Sequence, residues 1–165
     1  MNILLPQTYL IGLLGLLLII AILIGRQLLR VRQDELKLVK LEKNGGECSK
    51  KPSELYELAS VQLKKRLYPQ AVSNLTNALK YLEEEPDEAR AVIENALGFS
   101  LAAQDDFKSA IKHYKQAIKA KENYPVALNN LAYARQKLLQ EAEAAKIYEQ
   151  VLTLDPNNKT ANKQL

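Results

Sequence analysis

The 165-residue sequence has one cysteine, one histidine, no tryptophan, two phenylalanines, and only six glycines and six prolines. A lone cysteine, Cys48, cannot close an intramolecular disulfide, which excludes a stapled secreted scaffold. A lone histidine, His113, with no second cysteine leaves no cluster at metal-ligand spacing, so no metal or other cofactor is expected. Gly45-Gly46 lacks the flanking residues of a phosphate-binding loop. His113 sits between Lys112 and Lys115 and is expected to be solvated, without a matching carboxylate or nucleophile pattern. These absences point away from an enzyme and from a small-molecule substrate. The scarcity of glycine, proline and aromatic residues fits an all-helical chain better than a sandwich or barrel.

Charge is also missing from particular places. Residues 1–25 carry none, and 18 of them are apolar. Residues 26–52 hold eight basic and four acidic side chains, which accounts for the whole formal charge of +4. Residues 53–165 hold fifteen of each sign. The basic excess is therefore local, and no nucleic-acid-binding face is expected.

From Tyr9 to Ile24 the sequence reads YLIGLLGLLLIIAILI, with twelve Leu or Ile. On an insertion scale these contribute roughly −6 kcal/mol before the glycines are counted. Continued to Leu29, the stretch spans about 31 Å as a helix, the thickness of a bilayer core. A secretory signal would want a basic start, a shorter apolar run and a small-residue cleavage site, none of which is present. Residues 1–29 are expected to be an uncleaved transmembrane anchor in contact with the lipid bilayer. Arg26, Arg30, Arg32, Lys37 and Lys40 come after the apolar run Tyr9–Ile24 and no basic residue precedes that run, so the positive-inside bias places the C-terminal body on the cytoplasmic or stromal side. Gly12 and Gly15 are three apart, one short of the helix-dimer spacing. Residues 30–51 form a basic juxtamembrane segment. A helix is expected over 27–43, although LKLVKL alternates as a strand would. Asn44-Gly45-Gly46 reads as a hinge, with Cys48 in the linker after it.

Beyond residue 52 the sequence repeats itself. Leu97–Gly98, Ala110, Tyr114 and Ala117 recur 34 residues later as Leu131–Ala132, Ala144, Tyr148 and Val151. They recur 39 residues earlier as Leu58–Ala59, Ala71, Leu75 and Ala78. Eight of these nine small sites are Ala or Gly, although Ala and Gly together make up only 25 of 165 residues. The spacing describes pairs of antiparallel helices whose backbones approach closely at the small sites, with Leu, Ile and Tyr filling the gaps between pairs. The segments LYELASVQLKKRLYPQAVSNLTNAL, IENALGFSLAAQDDFKSAIKHYKQAI and LNNLAYARQKLLQEAEAAKIYEQVLTLDPNN resemble the tetratricopeptide repeat (TPR), the last ending in that family's LDPNN turn. The resemblance covers about two thirds of the chain. It implies a right-handed superhelix of three helical hairpins over 52–165, with units near 52–85, 91–124 and 125–158 and a short C-terminal cap.

Breakers fit the frame: Pro69, Asp105–Asp106 and Gln140 between the helices of each pair, Pro125 and Pro156 at unit boundaries. The longer first offset places extra residues around Glu83-Glu84-Glu85-Pro86-Asp87, with Pro86 expected to break the preceding helix and Asp87 to cap the next. Glu94 and Glu141 stand at sites usually apolar, and Gln62 and Arg135 replace an aromatic, which is expected to weaken packing locally. Asn74-Leu75-Thr76 and Asn158-Lys159-Thr160 match a glycosylation pattern, which a mid-helix, cytoplasmic-side location argues against.

In a TPR domain the first helix of each pair lines a concave groove that takes peptide segments. The groove residues expected here are Tyr56, Ser60 and Leu63, then Asn95 and Phe99, then Asn129, Tyr133 and Lys137; Phe99 and Tyr133 could equally pack between helices. Tyr56 and Ser60 occupy the places where the chaperone-tail-binding subclass begins its Lys/Asn/Arg set, so that binding is not expected.

The junction LLGLLLII…GRQLLRVRQDE, the widened first spacing and LNNLAYA…LDPNN together resemble the membrane-anchored repeat proteins of cyanobacteria and algal plastids that assist photosystem I assembly or stability. The resemblance implies a thylakoid location and photosystem I subunits or assembly intermediates as partners. The alternative is a general membrane-anchored adaptor for protein import or quality control.

Overall fold

The computed structural model describes residues 4–43, 50–82 and 87–165. The hinge at Asn44-Gly45-Gly46, Cys48, and the extra residues Glu83-Glu84-Glu85-Pro86 lie outside the described residues. Every regular element among the described residues is a helix.

One unit is the N-terminal helix α1, Leu4–Lys43, 40 residues and about 60 Å long. Its Leu and Ile side chains from Leu10 to Ile24 are exposed, and the helix is long and apolar enough to cross a membrane. Arg26, Arg30, Arg32, Lys37 and Lys40 all lie exposed on this one helix. The strand-like alternation of LKLVKL does not interrupt it, because residues 26–43 contain neither Gly nor Pro and are dominated by good helix formers.

The second unit is the repeat body: α2 (Pro52–Lys64), α3 (Tyr68–Lys80), α4 (Asp87–Ala102), α5 (Phe107–Ala120), α6 (Pro125–Lys137), α7 (Glu141–Leu154) and α8 (Lys159–Gln164). Each helix from α2 to α7 packs on its successor, and α4 also touches α2 and α6. Helices α2, α4 and α6 thus form an inner row and α3, α5 and α7 an outer one. All eight small sites are buried, with Ala59, Ala71, Ala78, Ala110, Ala117 and Ala132 fully so. Leu55, Leu58, Leu75, Tyr114, Leu128 and Tyr148 fill the spaces left between them. Burying each such side chain contributes about 1.5–3 kcal/mol.

Helix starts obey local chemistry. Pro52 and Pro125 occupy first helical positions, where the missing N–H costs nothing. Asp106 accepts from the Ser109 N–H at 3.1 Å and Asn158 from the Ala161 N–H at 3.1 Å, capping α5 and α8. Pro69 lies inside the first turn of α3 rather than between the helices, and Asp87 is the first residue of α4 rather than the cap before it, four residues ahead of the expected start of that unit.

The three inner helices end alike. The N–H groups of Leu67, Asp106 and Gln140 donate to the carbonyls of Gln62, Leu101 and Arg135, and those of Arg66, Asp105 and Leu139 to Leu63, Ala102 and Gln136. This is the Schellman arrangement, which puts the residue after the helix in the left-handed region. Arg66, Asp105 and Leu139 sit there with φ of 60°, 62° and 60°.

Candidate functional site

Repeat register sorts the inner-row side chains into lines that run across the units. One line is Ser53, Val92 and Val126; the next is Tyr56, Asn95 and Asn129; the third is Ser60, Phe99 and Tyr133. Phe99, Val126 and Tyr133 are 45 %, 54 % and 47 % exposed, so these large side chains stand open rather than packing between helices. Tyr56 and Leu63 are half-buried against the core of the first pair. The Ser60 hydroxyl donates back to the Tyr56 carbonyl at 2.8 Å.

Hydrogen bonds tie neighbouring units along this face. Asn130 Nδ2 donates to Asn95 Oδ1 at 2.9 Å, and Asn129 Nδ2 donates to Asn158 Oδ1 at 3.1 Å. Asn129 Oδ1 is buried without a hydrogen-bond partner. The Tyr133 ring meets Phe107 edge-on at 6.4 Å and carries the Lys137 ammonium 5.3 Å above it. Burial pushes the Tyr124 phenol above its ordinary value, with the Tyr56 phenol adding to the effect, so it stays a neutral hydroxyl beside Asn95.

Two cavities open on the inner row. The first, 330 Å³, lies between the N-terminal halves of α2 and α4; Pro52, Tyr56, Leu82, Val92 and Ile93 form its wall. Among the described residues lining it only Glu88 is charged, and Glu88 is tied to Lys121 at 3.0 Å. The second, 400 Å³, is bounded by Val126, Asn129, Asn130, Tyr133, Asn158 and Gln164, with no charged residue among the described ones lining it. Of the eight expected groove residues, Tyr56 lines the first cavity, Asn129 and Tyr133 the second, and Asn95 is joined to the second through Asn130. Ser60, Leu63, Phe99 and Lys137 line neither. Val92, Leu82, Asn130 and Asn158 escaped the sequence reading; the 34- and 39-residue offsets that align Tyr56 with Asn95 and Asn129 also align Ser53 with Val92 and Val126, and would have found that line.

His113 corrects an expectation. Its Nδ1 lies 2.7 Å from Glu94 Oε2, so the imidazole is engaged rather than solvated. Glu94 is 7 % exposed, and its tolerance of burial rests on this partner. Gln62 is likewise buried and accepts from Asn74 Nδ2 at 2.9 Å. Arg135 bonds Gln140 and pairs with Glu143. Three of the four departures, Glu94, Gln62 and Arg135, therefore bring polar partners, whereas Glu141 is exposed at the start of α7. Asn74 Oδ1 and Arg135 Nε are still buried without a hydrogen-bond partner. Asn74 is fully buried, which closes its glycosylation pattern in the folded body. Glu94 and His113 line neither cavity, and no group of three potential metal ligands occurs among the described residues.

Tetratricopeptide-repeat models match residues 53–123 and 125–158. A protein named ycf37 from Guillardia theta is 32 % identical over all of this chain and 93 % of its own length. The chain belongs to the ycf37 family of tetratricopeptide-repeat proteins. The tetratricopeptide-repeat match points to a non-enzymatic, protein-interaction role. The chain is also 34 % identical to the chloroplastic tetratricopeptide-repeat protein PYG7 of Arabidopsis thaliana, over 93 % of this chain but only 51 % of that relative's length. The photosystem I assembly protein Ycf3 of Synechococcus elongatus is 30 % identical, with 55 % of this chain and 60 % of that protein covered. Two solved structures extend the family's fold. The Cut9–Hcn1 complex matches with a TM-score of 0.76 at 20 % identity, over 86 % of this chain and 28 % of that one. The first repeat domain of Spaghetti (RPAP3), bound to the HSP90 peptide SRMEEVD, matches with a TM-score of 0.63 at 27 % identity, over 71 % and 89 %.

Proposed function

We propose that this member of the ycf37 family is a membrane-tethered scaffold for photosystem I assembly or stability, anchored by residues 9–29 in the thylakoid membrane with its repeat body on the stromal or cytoplasmic side. The observation that carries the reading is an open inner row of helices in a chain whose relatives include a protein named for photosystem I assembly. The basic residues Arg26, Arg30, Arg32, Lys37 and Lys40, all on the C-terminal side of the apolar run, support the orientation. Tyr56, Ser60, Leu63, Asn95, Phe99, Asn129, Tyr133 and Lys137 are the proposed contacts for exposed segments of photosystem I subunits or intermediates. The anchor confines the groove to the plane in which such partners are assembled, raising its effective concentration there.

Deleting the gene in its photosynthetic host is expected to lower photosystem I relative to photosystem II. Photocrosslinking from Tyr133 in native membranes is expected to return photosystem I subunits. An unchanged photosystem ratio under stress, together with crosslinks to a broad set of unrelated proteins, would favour the general adaptor instead.

A further inference from the structure

The two inner-face cavities differ in polarity, and among the described residues the first is lined by one charged group, Glu88, and the second by none. The first is walled by Pro52, Tyr56, Leu82, Val92 and Ile93 and is overwhelmingly apolar. The second presents the side-chain amides of Asn129, Asn130, Asn158 and Gln164 beside Tyr133. A carboxylate entering either cavity would shed water without gaining a counter-charge from the described lining residues. An ammonium would find only Glu88, already paired with Lys121, so burying either costs several times a hydrogen bond. An apolar side chain gains by entering the first, whose 330 Å³ accepts one bulky aliphatic or aromatic group. Amides suit the second to a peptide backbone, which offers alternating N–H and C=O groups. Asn129 Oδ1, buried there without a partner, is an acceptor that a rotated amide could turn to an incoming N–H.

We propose that the inner face selects an uncharged, extended peptide segment, seating one bulky apolar side chain in the Tyr56–Leu82–Val92 cavity and holding the segment's backbone with the amides around Asn129 and Asn130. This deepens the reading of the inner face as the binding surface and rests on it. It also separates this chain from the RPAP3 domain, whose bound peptide SRMEEVD carries adjacent glutamates and a terminal aspartate. On the face of the present chain that tail finds no cation among the described residues lining either cavity, and at the first cavity it meets the Glu88 carboxylate.

The test uses the full chain in lipid nanodiscs and a phage-displayed library of random peptides. Peptides retained equally by empty nanodiscs are discarded, and the survivors are synthesised and titrated by fluorescence anisotropy. The expected winners have near-zero net charge and carry at least one Leu, Ile, Phe or Trp. Val92→Glu and, from the opposite wall, the exposed Ser53→Glu are expected to weaken them by about tenfold or more, because each places an unpaired carboxylate at the apolar seat. Val92→Ile is expected to preserve binding, Asn130→Ala to weaken it by about threefold to tenfold, one lost hydrogen bond, and SRMEEVD to bind about tenfold more weakly than the winners. Thermal unfolding of each variant within a few degrees of the parent keeps the comparison one of binding. Enrichment of charged peptides, tight binding of SRMEEVD, or indifference of the winners to both glutamate substitutions would overturn the proposal. So would self-association through this face, seen as a sedimentation shift that Val92→Glu abolishes and the peptides do not compete. None of these outcomes bears on the photosystem ratio of a deletion strain, so the two readings fail separately.

Discussion

The second and third repeat units meet the same packing problem with different residues. In unit two, Glu94 on α4 is buried against His113 on α5. Thirty-four residues on, the same two places hold Leu128 and Ile147, both part of an apolar cluster. One hairpin is joined at this layer by a carboxylate–imidazole contact and its neighbour by an apolar cluster. The comparison shows that the repeat fixes the size and position of a side chain more strictly than its polarity, provided a polar group brings its own partner.

Converting unit two into unit three tests this most strongly. His113→Ile alone leaves the Glu94 carboxylate buried and unpaired, and is expected to cost about 2–3 kcal/mol. Glu94→Leu alone removes the buried charge and is expected to cost less than about 1 kcal/mol. The double variant is expected to return to within about 1 kcal/mol of the parent or exceed it, because a hydrophobic pair often replaces a buried polar one without loss. Urea unfolding of the full chain in detergent micelles, monitored by helical circular dichroism, gives the coupling. Additive costs would show that Glu94 and His113 do not act as a pair.

Next in size is the helix crossing itself. Gly98 of unit two corresponds to Ala132 of unit three. A Cβ built on Gly98 would lie 2.7 Å from the Tyr114 ring, which is itself 2 % exposed. Gly98→Ala should therefore destabilise by about 1–2 kcal/mol through overpacking, despite the better helix propensity of alanine. Ala132→Gly in unit three is expected to cost about 1 kcal/mol for the opposite reason, lost propensity and a small void. A stabilising Gly98→Ala would mean that the ring shifts freely.

Much of this fold was legible in the sequence because small residues recur where helix backbones approach too closely for most large side chains. Ala59, Ala71, Ala78, Gly98, Ala110, Ala117, Ala132 and Ala144 announce the hairpins, and all are buried. The apolar run of α1 was equally plain. What escaped was compensation between distant positions. Glu94 and His113 each read as a local defect or a solvated side chain, and nothing in their separation of nineteen residues announces a 2.7 Å contact until α4 and α5 are paired. Gln62 with Asn74 escaped for the same reason. The groove was half legible. Open aromatics such as Tyr133 come from register, whereas the apolar cavity draws Leu82 from just beyond the end of a pair's second helix, where a first-helix rule does not look.

The helix caps give a third, smaller contrast, and one that depends on pH. Asp106 caps α5, whereas Gln140, at the same place before α7, makes no side-chain cap. Hydrogen bonding to the Ser109 side chain and then to its backbone N–H holds the Asp106 carboxyl below its ordinary value. A group held lower in the folded state contributes stability above the unfolded value near 3.8 and loses it as pH falls through the folded value. Asp106→Ala is expected to cost about 1 kcal/mol at pH 7, a difference that shrinks below about pH 4. Gln140→Asp is expected to stabilise unit three by about 0.5–1 kcal/mol at pH 7, with the mirror-image dependence. Thermal melts of both variants at pH 7 and pH 3 check the pair, and a pH-independent Asp106→Ala difference would remove the cap from the account.

The smallest expected effect concerns the residue before each cap. Asp105 and Leu139 both hold φ near 60°, where a Cβ crowds the next carbonyl. Aspartate tolerates that conformation better than leucine, since its short polar side chain bonds locally. Leu139 is also 87 % exposed, so its side chain returns little burial for the strain. Leu139→Gly is therefore expected to stabilise the chain by about 0.5 kcal/mol, the relief of left-handed strain being partly offset by the greater freedom of glycine when unfolded. That corresponds to a rise of about 2–4 °C in Tm. Asp105→Gly should change Tm by less. If Leu139→Gly instead lowers Tm, the exposed leucine makes a stabilising contact that its exposure conceals, and unit three would depend on its turn for more than backbone geometry.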